Sequence, residues 1–311
     1  MSIWSIDWIV EASAGRLVRK PRGVDVHANT VNGVSIDSRT LERGEAFVAL
    51  RGERFDGHAF VGEAVARGAS CIIVERDSAA QQVPEEIPVI RVHDAREALT
   101  RLAGAHRGLL KNTRVIAVTG SNGKTTTVRF IDAALRVALD GSASAKSFNN
   151  DIGVPLTILR AKPTDDYLVC EVGMNAPGEL APLARLVEPD IAVITGVGRA
   201  HIEAFDSVEE IGREKATLLE FLRPGGFGVI NAACESFLGP VVATVPHLVC
   251  VGETPNAELH VADIAHNARG AQTRLAFSTR QGDHSRSFEI PAPGAHNATN
   301  AALAVAVARL L

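Results

Sequence analysis

The chain has 311 residues, 46% of them hydrophobic and 22% charged, and its formal net charge is -4. A chain of this size can bury large cores, and its length favours two domains. The small acidic excess argues against a nucleic-acid partner or an anionic membrane surface. No run approaches the roughly 18 apolar residues of a membrane-spanning helix, so we expect no membrane insertion.

The four cysteines lack the CxxC spacing that is typical of metal and redox sites. Buried, reduced thiols are the simpler interpretation, and they favour a cytoplasmic location.

The first 111 residues alternate helical and strand patterns, which predicts a small N-terminal α/β domain. Residues 111–113 would join it to a second domain over 112–311. Predicted helices cover 5–14, 58–67 and 95–110, and predicted strands cover 34–36, 46–50, 70–75 and 88–92.

The loops of this first domain are rich in polar anchors. Arg39 and Arg54 could each grip a phosphate with two hydrogen bonds, and Asp56 could accept from a base or a sugar. The alternative is that Asp56, Gly57 and His58 form only a turn and a helix cap.

The second domain opens with the pattern of a phosphate-binding loop. An apolar run over 115–118 predicts a buried strand, and Val128, Ile131 and Leu135 predict a helix with one buried stripe. The loop between them can bind phosphate, because the first N–H groups of a helix are unpaired and carry the positive end of its dipole. The candidate nucleotide-binding residues are Gly120, Ser121, Asn122, Gly123, Lys124, Thr125 and Thr126.

Each residue type in this loop has a physical role. Gly120 and Gly123 let the backbone approach phosphate closely, Lys124 would reach the outer phosphates, and the Thr125 hydroxyl would bind Mg²⁺. The usual G-x-x-x-x-G-K-[ST] pattern has a glycine where this chain has Val118. An ordinary glycine turn is the alternative, but it does not explain a lysine beside three threonines.

Further polar residues follow predicted strands and loops of the second domain. Asn149 and Asn150 lie in a stretch over 147–155 that has too many amides and a proline for regular structure, and they could bind a peptide or close an Asx turn. Glu171 ends an apolar strand, where Mg²⁺ or an arginine would be its partner. His201 follows the next strand and could be a ligand or a structural hydrogen-bonding residue.

Lys215 lies on the buried stripe of a predicted helix over 207–222, where it must reach the protein edge or do chemistry. Short alternating patterns predict an antiparallel hairpin at the sheet edge, with strands over 273–279 and 286–290. Asn297 and Asn300 are one helical turn apart and could face a ligand such as adenine, although Asn297 alone would pass as a cap.

Together, these residues resemble the ATP-dependent Mur ligases over nearly the whole chain. The motifs typical of that family are Thr119 to Thr126, Glu171, His201 and His296-Asn297-x-x-Asn300. The stretches 47–58, 149–156 and 171–175 are more specific and resemble the members that add D-alanyl-D-alanine to UDP-N-acetylmuramoyl-tripeptide.

The resemblance implies an α/β fold in which the small first domain holds the UDP-sugar. The central domain is implied to be of the P-loop type, with a mostly parallel sheet and antiparallel edge strands, and to hold ATP. It also implies an acyl phosphate on the tripeptide's terminal carboxylate, which the amine of D-alanyl-D-alanine attacks.

The resemblance also implies residue roles. Lys124 would contact the phosphates and Asn297 and Asn300 the adenine. Thr125 and Glu171 would bind one Mg²⁺ and His201 a second. Lys215 would be able to carry a carbamate and so become an anionic Mg²⁺ ligand. The implied substrate-binding residues are Asp37, Ser38, Arg39, Arg54, Asp56, Gly57, His58, Asn149 and Asn150.

Members of this family continue into a third, Rossmann-like domain that helps to hold the amine substrate. These 311 residues are expected to lack it, so we expect weak ligation unless a separate chain supplies it. Two alternatives remain: another Mur-type or folylpolyglutamate-type ligase, and a nucleotide- or UDP-sugar-binding module without catalysis.

Overall fold

The computed structural model describes residues 4–20, 30–52, 55–81, 83–145, 148–269 and 272–311. Its strands are β1 (Trp4–Ser5), β2 (Arg16–Arg19), β3 (Thr30–Val31), β4 (Val34–Ser35), β5 (Ala46–Val48), β6 (Cys71–Val74), β7 (Val89–Arg91), β8 (Arg114–Thr119), β9 (Gly141–Ala143), β10 (Tyr167–Glu171), β11 (Ile191–Ile194), β12 (Phe227–Asn231), β13 (Leu248–Gly252), β14 (Leu259–Arg269), β15 (Gln272–Gln281) and β16 (His284–Ile290).

The helices include every long helix that the periodicity predicts. They are α1 (Ile6–Ala12), α2 (Val61–Ala66), α3 (Asp77–Ala80), α4 (Ala95–Arg107), α5 (Lys124–Leu135), α6 (Gly153–Arg160), α7 (Leu180–Val187), α8 (Val208–Glu220) and α9 (His296–Leu310). Side-chain caps begin three of them, because Ser5, Asp94 and Ser207 each accept a hydrogen bond from a backbone N–H in the first turn. Among the described residues, no helix has both the length and the apolar content to cross a bilayer.

The chain divides into two compact units, residues 1–111 with 151–163 and residues 112–150 with 164–311. The first unit contains a five-stranded sheet in the order β2-β7-β6-β5-β4, which is parallel except for β2. Its core includes Phe47, Val61 and Ile72. The turn over Gly57–Phe60 that precedes α2 is a 3-10 helix rather than the start of one continuous helix.

Residues 151–163 depart from the sequence-based expectation in two ways. The division at 111/112 assigns them to the second domain, but they pack with the first unit, where α6 contacts α4. The sequence predicts an irregular stretch over 147–155, whereas α6 begins at Gly153 and contains Pro155 in its first turn. A proline is tolerated there because the first N–H groups of a helix have no intrahelical partner.

The second unit is built on a nine-stranded sheet in the order β16-β15-β14-β13-β12-β11-β8-β10-β9. The strands from β9 to β14 are parallel, whereas β14, β15 and β16 pair antiparallel at one edge. This confirms the predicted α/β fold. The central strands β8, β10 and β11 are apolar runs because helices cover both faces of such sheets.

The central position of β8 sets the place of the candidate site. β8 lies between β10 and β11, with Glu171 paired to Val118 and Ile194 to Thr119. The carboxyl ends of these three strands therefore meet at one rim, where ligands bind in open α/β sheets. All four cysteines are free thiols; Cys71, Cys170 and Cys234 are buried and Cys250 is half-buried.

Candidate functional site

The loop between β8 and α5 has a backbone that only glycine adopts easily at two positions. Gly120 has a φ of 151° and Gly123 a φ of 83°. A Cβ atom added to Gly120 would overlap the Thr195 hydroxyl, and one added to Gly123 would lie 2.6 Å from Asn300 Oδ1. Both glycines are therefore required by conformation and by space.

The segment after β11 holds this loop in place. The Ser121 N–H donates to Gly196 O at 2.9 Å. The Ser121 hydroxyl donates to Gly198 O at 3.1 Å and accepts from the Gly198 N–H at 2.9 Å. The Thr195 hydroxyl donates to Asn122 O. The loop is thus fixed before any ligand arrives, which lowers the entropic cost of binding.

Lys124, the first residue of α5, is folded back across the loop. Its Nζ donates to Gly120 O at 2.7 Å. Burial lowers the pKa of Lys124, and the negative charge of Glu171 opposes that shift. The ammonium group therefore lies beside the N–H groups at the start of α5, where a phosphate would meet both.

Glu171 connects the loop to the asparagines that the sequence singled out. Its carboxylate is buried, with Oε2 accepting from Thr125 Oγ1 at 2.7 Å and Oε1 accepting from Asn149 Nδ2 at 2.8 Å. Asn149 is held in turn by its carbonyl, which accepts from the Gly173 N–H at 2.7 Å. The arginine partner considered as an alternative is not found for Glu171 among the described ion pairs and hydrogen bonds.

Lys215 is buried in α8, with only 2% of its surface exposed, so it does not reach solvent as most such lysines do. Burial and, next, the positive charge of Lys124 lower its pKa to about 8, while Glu214 opposes the shift. Within the described part of the chain its amine has no hydrogen-bond partner. The site thus holds two amines and one carboxylate, a surplus of positive charge that suits a polyanionic ligand.

His201 follows β11 and has a left-handed backbone, with a φ of 62°. Across the described residues its ring makes no hydrogen bond or ion pair, and no three or more His, Cys, Asp or Glu side chains cluster closely enough to hold a metal. A metal-binding role for His201 stays a prediction.

Asn297 and Asn300 lie in the first turns of α9 and are both buried. Asn297 Nδ2 donates to Pro293 O at 2.6 Å, and Asn297 Oδ1 accepts from Asn300 Nδ2 at 3.1 Å. Asn300 Oδ1 lies against Gly123 in the phosphate loop. The pair therefore borders the loop, and Asn300 Oδ1 and one N–H of each amide remain for a ligand among the described hydrogen bonds.

A cleft of about 610 Å³ opens beside the phosphate loop. It is lined by Ser121, Asn122, Gly123, Thr195, Gly196, Val197, Asn231, Ala233, Glu253, Thr254, His296, Thr299 and Asn300. Sequence reasoning did not find Glu253, Thr254 or Thr299, because nothing in the pattern around them distinguishes them from ordinary loop and helix residues.

In the first unit, Arg39 pairs with Asp37 through two hydrogen bonds of 2.9 and 2.7 Å. The Arg39 guanidinium lowers the pKa of Asp37 to about 2. The Ser38 hydroxyl donates to Glu63 Oε2 at 2.9 Å. Arg39 would have to share or leave Asp37 to bind a phosphate. Arg54 lies outside the described residues.

Asp56 and His58 hold their own loop together. Asp56 Oδ1 accepts from the His58 N–H at 3.1 Å and lies 2.6 Å from His58 Nδ1. The Glu75 N–H donates to His58 Nε2 at 3.0 Å, so the proton of a neutral ring lies on Nδ1. These contacts favour the cap and turn interpretation of the Asp-Gly-His sequence; a role in substrate binding stays a prediction.

A second cavity, of about 360 Å³, lies beside this loop in the first unit. It is lined by Ile36, Asp37, Ser38, Arg39, Phe47, Leu50, Phe55, Gly57, Phe60 and Glu63. Phe55 and Phe60 are 73% and 41% exposed, and sequence reasoning did not select them. The sequence does contain a signal for these residues, because two phenylalanines are unusual in a loop that is otherwise polar.

A glycine loop between a buried strand and a helix, crossed by a lysine and faced by a carboxylate on the next strand, defines an α/β protein of the P-loop type. Residues 118–308 match the Mur ligase middle domain, and residues 30–107 match the Mur ligase family, catalytic domain. The chain belongs to the Mur ligase family.

Curated proteins of one kind are similar to this chain in sequence. The chain is 36% identical over 276 residues to UDP-N-acetylmuramoyl-tripeptide--D-alanyl-D-alanine ligase of Bacillus subtilis, covering 89% of this chain and 58% of that protein. The ligase of the same name from Escherichia coli is 33% identical over 92% of this chain and 61% of its own length. The chain thus spans about three fifths of the relatives it matches.

Solved structures are similar to this chain as well. MurF from Acinetobacter baumannii superposes with a TM-score of 0.82 at 29% identity, covering 99% of this chain and 65% of that one. MurF ligase from Thermotoga maritima, solved in complex with ADP, gives a TM-score of 0.74 at 26% identity, covering 89% and 62%. A likeness to Escherichia coli FolC at 21% identity shows a shared fold alone.

Proposed function

We propose that the protein is part of an ATP-dependent amide ligase that joins D-alanyl-D-alanine to UDP-N-acetylmuramoyl-tripeptide in peptidoglycan precursor synthesis. One observation carries this proposal: Glu171 is hydrogen-bonded to both Thr125 of the phosphate loop and Asn149. The family, the named relatives and the ADP-bound neighbour support the substrates and the nucleotide.

The proposed reaction has two steps. The terminal carboxylate of the tripeptide attacks the γ-phosphate of ATP, which gives an acyl phosphate and ADP. The amine of D-alanyl-D-alanine then attacks the acyl carbon, and phosphate leaves as the amide forms. The loop N–H groups and Lys124 would hold the phosphates in line and neutralise developing charge, which is the main protein contribution to this chemistry.

The residues present suit Mg²⁺. The Thr125 hydroxyl and the Glu171 carboxylate supply oxygen ligands side by side, and Mg²⁺ in nucleotide sites needs only one or two protein ligands besides phosphate and water. Bound there, the ion would neutralise phosphate charge. We propose Thr125 and Glu171 for this role, and His201 for a second ion.

We further propose that Lys215 is carbamylated. A buried amine with a pKa of about 8 is partly neutral near physiological pH, and the neutral amine adds CO₂ to give a carbamate and a released proton. The product is an anion beside Lys124, which removes the repulsion between the two lysines. Mass spectrometry of the native protein in bicarbonate tests this; only unmodified Lys215 would contradict it.

In the first unit we propose that the UDP-linked substrate binds the 360 Å³ cavity, with Asp37, Ser38, Arg39 and Gly57 in its wall. Asp56 and His58 would support the loop, and Arg54 would assist phosphate binding. Asn149 and Asn150 would bind the peptide portion. The four free thiols support a cytoplasmic setting for the reaction.

Phosphate release measured with ATP, Mg²⁺, the UDP-tripeptide and D-alanyl-D-alanine tests the proposed reaction. The assay is run with this chain alone and with a separately expressed C-terminal domain of the family. We expect release that depends on both acceptor substrates and rises when the domain is added. If ATP and the UDP-tripeptide bind but no phosphate is released, with or without the added domain, a non-catalytic binding module is favoured.

The substitution Lys124→Ala tests the nucleotide site directly. Charge-assisted hydrogen bonds contribute about 1.5–3 kcal/mol, so the variant should bind ATP at least roughly tenfold more weakly. Lys111→Ala, at an exposed lysine of the first unit, is the control and should bind ATP as the wild type does. Wild-type affinity in Lys124→Ala would overturn the site.

A further inference from the structure

The cleft beside the phosphate loop has polar groups far from that loop. The loop follows β8, whereas Glu253 and Thr254 follow β13, three strands away in the sheet. Neighbouring strands lie about 4.8 Å apart, so the two ends are separated by roughly 14 Å. This is the distance over which a nucleoside triphosphate would extend from its phosphates to its sugar and base.

The asparagines of α9 are partly used inside the protein, and Asn300 lies at the phosphate end of the cleft. Asn297 uses its amide nitrogen on Pro293 and its oxygen on Asn300. Asn300 Oδ1 lies against Gly123 at the phosphate end, and each of the two amide nitrogens has a second N–H that no described hydrogen bond uses. Groups at the far end of the cleft are therefore better placed than Asn300 to meet the sugar and the base.

Thr254 is one such group. Its hydroxyl oxygen is buried and has no hydrogen-bond partner in the described part of the chain. A buried hydroxyl without a partner is unfavourable and is uncommon in folded proteins. Because Thr254 lines the cleft, a rotation about its χ1 angle would turn the hydroxyl toward a bound ligand, which can then supply the missing hydrogen bond.

Glu253 is the second group. It is the only carboxylate among the residues that line the cleft, and it makes no hydrogen bond or ion pair with the residues that the structure describes. A carboxylate suits ribose hydroxyls, which donate to it, as in dinucleotide-binding folds. At roughly 14 Å from the phosphate end, its repulsion of the phosphates is largely screened by physiological salt.

We propose that Glu253 and Thr254 form the nucleoside end of the cleft. Glu253 accepts a hydrogen bond from a ribose hydroxyl, and the Thr254 hydroxyl pairs with the sugar or the edge of the base. This inference rests on the proposed function, since it takes the ligand of the cleft to be a nucleoside triphosphate.

Calorimetric titration of the 311-residue chain with ATP, 2′-deoxyATP and 3′-deoxyATP, each with Mg²⁺, tests the proposal. In the wild type at least one deoxynucleotide should bind about tenfold more weakly than ATP, because a charge-assisted hydrogen bond is lost. Glu253→Ala should bring that ratio to within about twofold. Glu220→Ala, at an exposed glutamate that ends α8, is the matched control and should keep the wild-type ratio.

Thr254→Val gives a second readout that a purely structural role would not produce. It removes an unpartnered hydroxyl at nearly constant volume, so the melting temperature without nucleotide should stay the same or rise. Affinity for ATP should nevertheless fall severalfold. A loss of stability with unchanged affinity would contradict the role of Thr254.

Two kinds of failure are distinguishable. If ATP and both deoxynucleotides bind equally, or if Glu253→Ala keeps the wild-type ratio, the nucleoside assignment is wrong. Lys124→Ala should then still weaken all three nucleotides, and the proposed function stands. If the wild type binds none of them, or Lys124→Ala binds them normally, the proposed function fails and this inference fails with it.

Discussion

Among single residues, two lysines lie close enough for their charges to interact beside the phosphate loop, with Lys124 half-buried and Lys215 buried. Lys124 is held by Gly120 O, but Lys215 has no hydrogen-bond partner among the described residues. An amine in this position costs folding free energy when it is charged, because burial and a like charge both oppose the ammonium form. Such a cost is typical of functional sites, where stability is given up for reactivity or ligand binding.

Lys215→Met should therefore stabilise the protein at pH 7 in bicarbonate-free buffer by on the order of 2 kcal/mol. The folded-state pKa of about 8 is below the ordinary 10.5, so the unfolded chain binds the extra proton between these values. Wild-type stability consequently rises with pH through this window, and the advantage of the variant should shrink from pH 8 to pH 10.5. Chemical denaturation of both proteins between pH 8 and pH 10.5 measures this advantage. A difference in unfolding free energy that does not change with pH would contradict the prediction.

At the scale of elements, His106 joins three parts of the first unit. The Trp4 indole N–H donates to His106 Nδ1 at 3.2 Å, and His106 Nε2 lies 2.8 Å from Ala161 O at the end of α6. Since the indole can only donate, the ring is neutral with its proton on Nε2. Burial lowers the pKa of His106 from its usual value near 6.5.

Protonation of His106 should loosen this junction. The unfolded chain binds a proton near pH 6.5 and the folded chain only at lower pH, so the free energy of unfolding should fall as pH decreases below about 6.5. His106→Gln should flatten that dependence, whereas His93→Gln, at an exposed histidine, should not. Denaturation followed by tryptophan fluorescence between pH 5 and pH 7.5 measures how the free energy of unfolding changes with pH. If His106 had no such role, this dependence would be the same in the wild type, His106→Gln and His93→Gln.

The packing of α8 depends on a glycine inside the helix. A Cβ added to Gly212 would overlap the Phe237 carbonyl, so Gly212→Ala should destabilise the protein by about 1–3 kcal/mol despite the better helix propensity of alanine. Gly62 of α2 has open space around its Cβ position. Gly62→Ala is the matched control and should stabilise by about 0.5–1 kcal/mol. Thermal denaturation of both variants tests this. A Gly212→Ala protein as stable as Gly62→Ala would show that helix propensity, and not close packing, determines the stability of α8.

At the scale of the whole molecule, each compact unit has its own apolar core, and the natural spectroscopic probes are divided between the units. Trp4 and Trp8 are the two tryptophans and belong to the first unit, while Tyr167 is the single tyrosine and belongs to the second. Ligand binding to either unit can thus be followed separately.

The UDP-tripeptide should raise the midpoint of the tryptophan-monitored unfolding transition, because we place its site in the first unit. At a hundredfold excess over its Kd the stabilisation should be about 2.7 kcal/mol. UDP-linked substrate that binds by calorimetry but leaves the tryptophan transition unmoved would contradict this placement. ATP, tested in parallel, reports on the second unit through the tyrosine signal.

Local sequence patterns are enough to predict the α/β class, the phosphate loop, Glu171 at the strand end and the buried position of Lys215. These are local patterns, since strand alternation, helical periodicity and glycine conformation are set by residues a few positions apart. The resemblance of its motifs to the Mur ligases was readable for the same reason.

The hydrogen-bond partners of the polar side chains, by contrast, are visible only in the folded protein. Asn297 and Arg39 have side chains suited to a ligand, but they already pair with Pro293, Asn300 and Asp37. The Thr254 hydroxyl has no partner among the described residues, although nothing in the local sequence marks it. The membership of 151–163 in the first unit likewise depends on packing against α4. Hydrogen-bond partners and packing partners are chosen between residues far apart in the chain, and therefore appear only once it has folded.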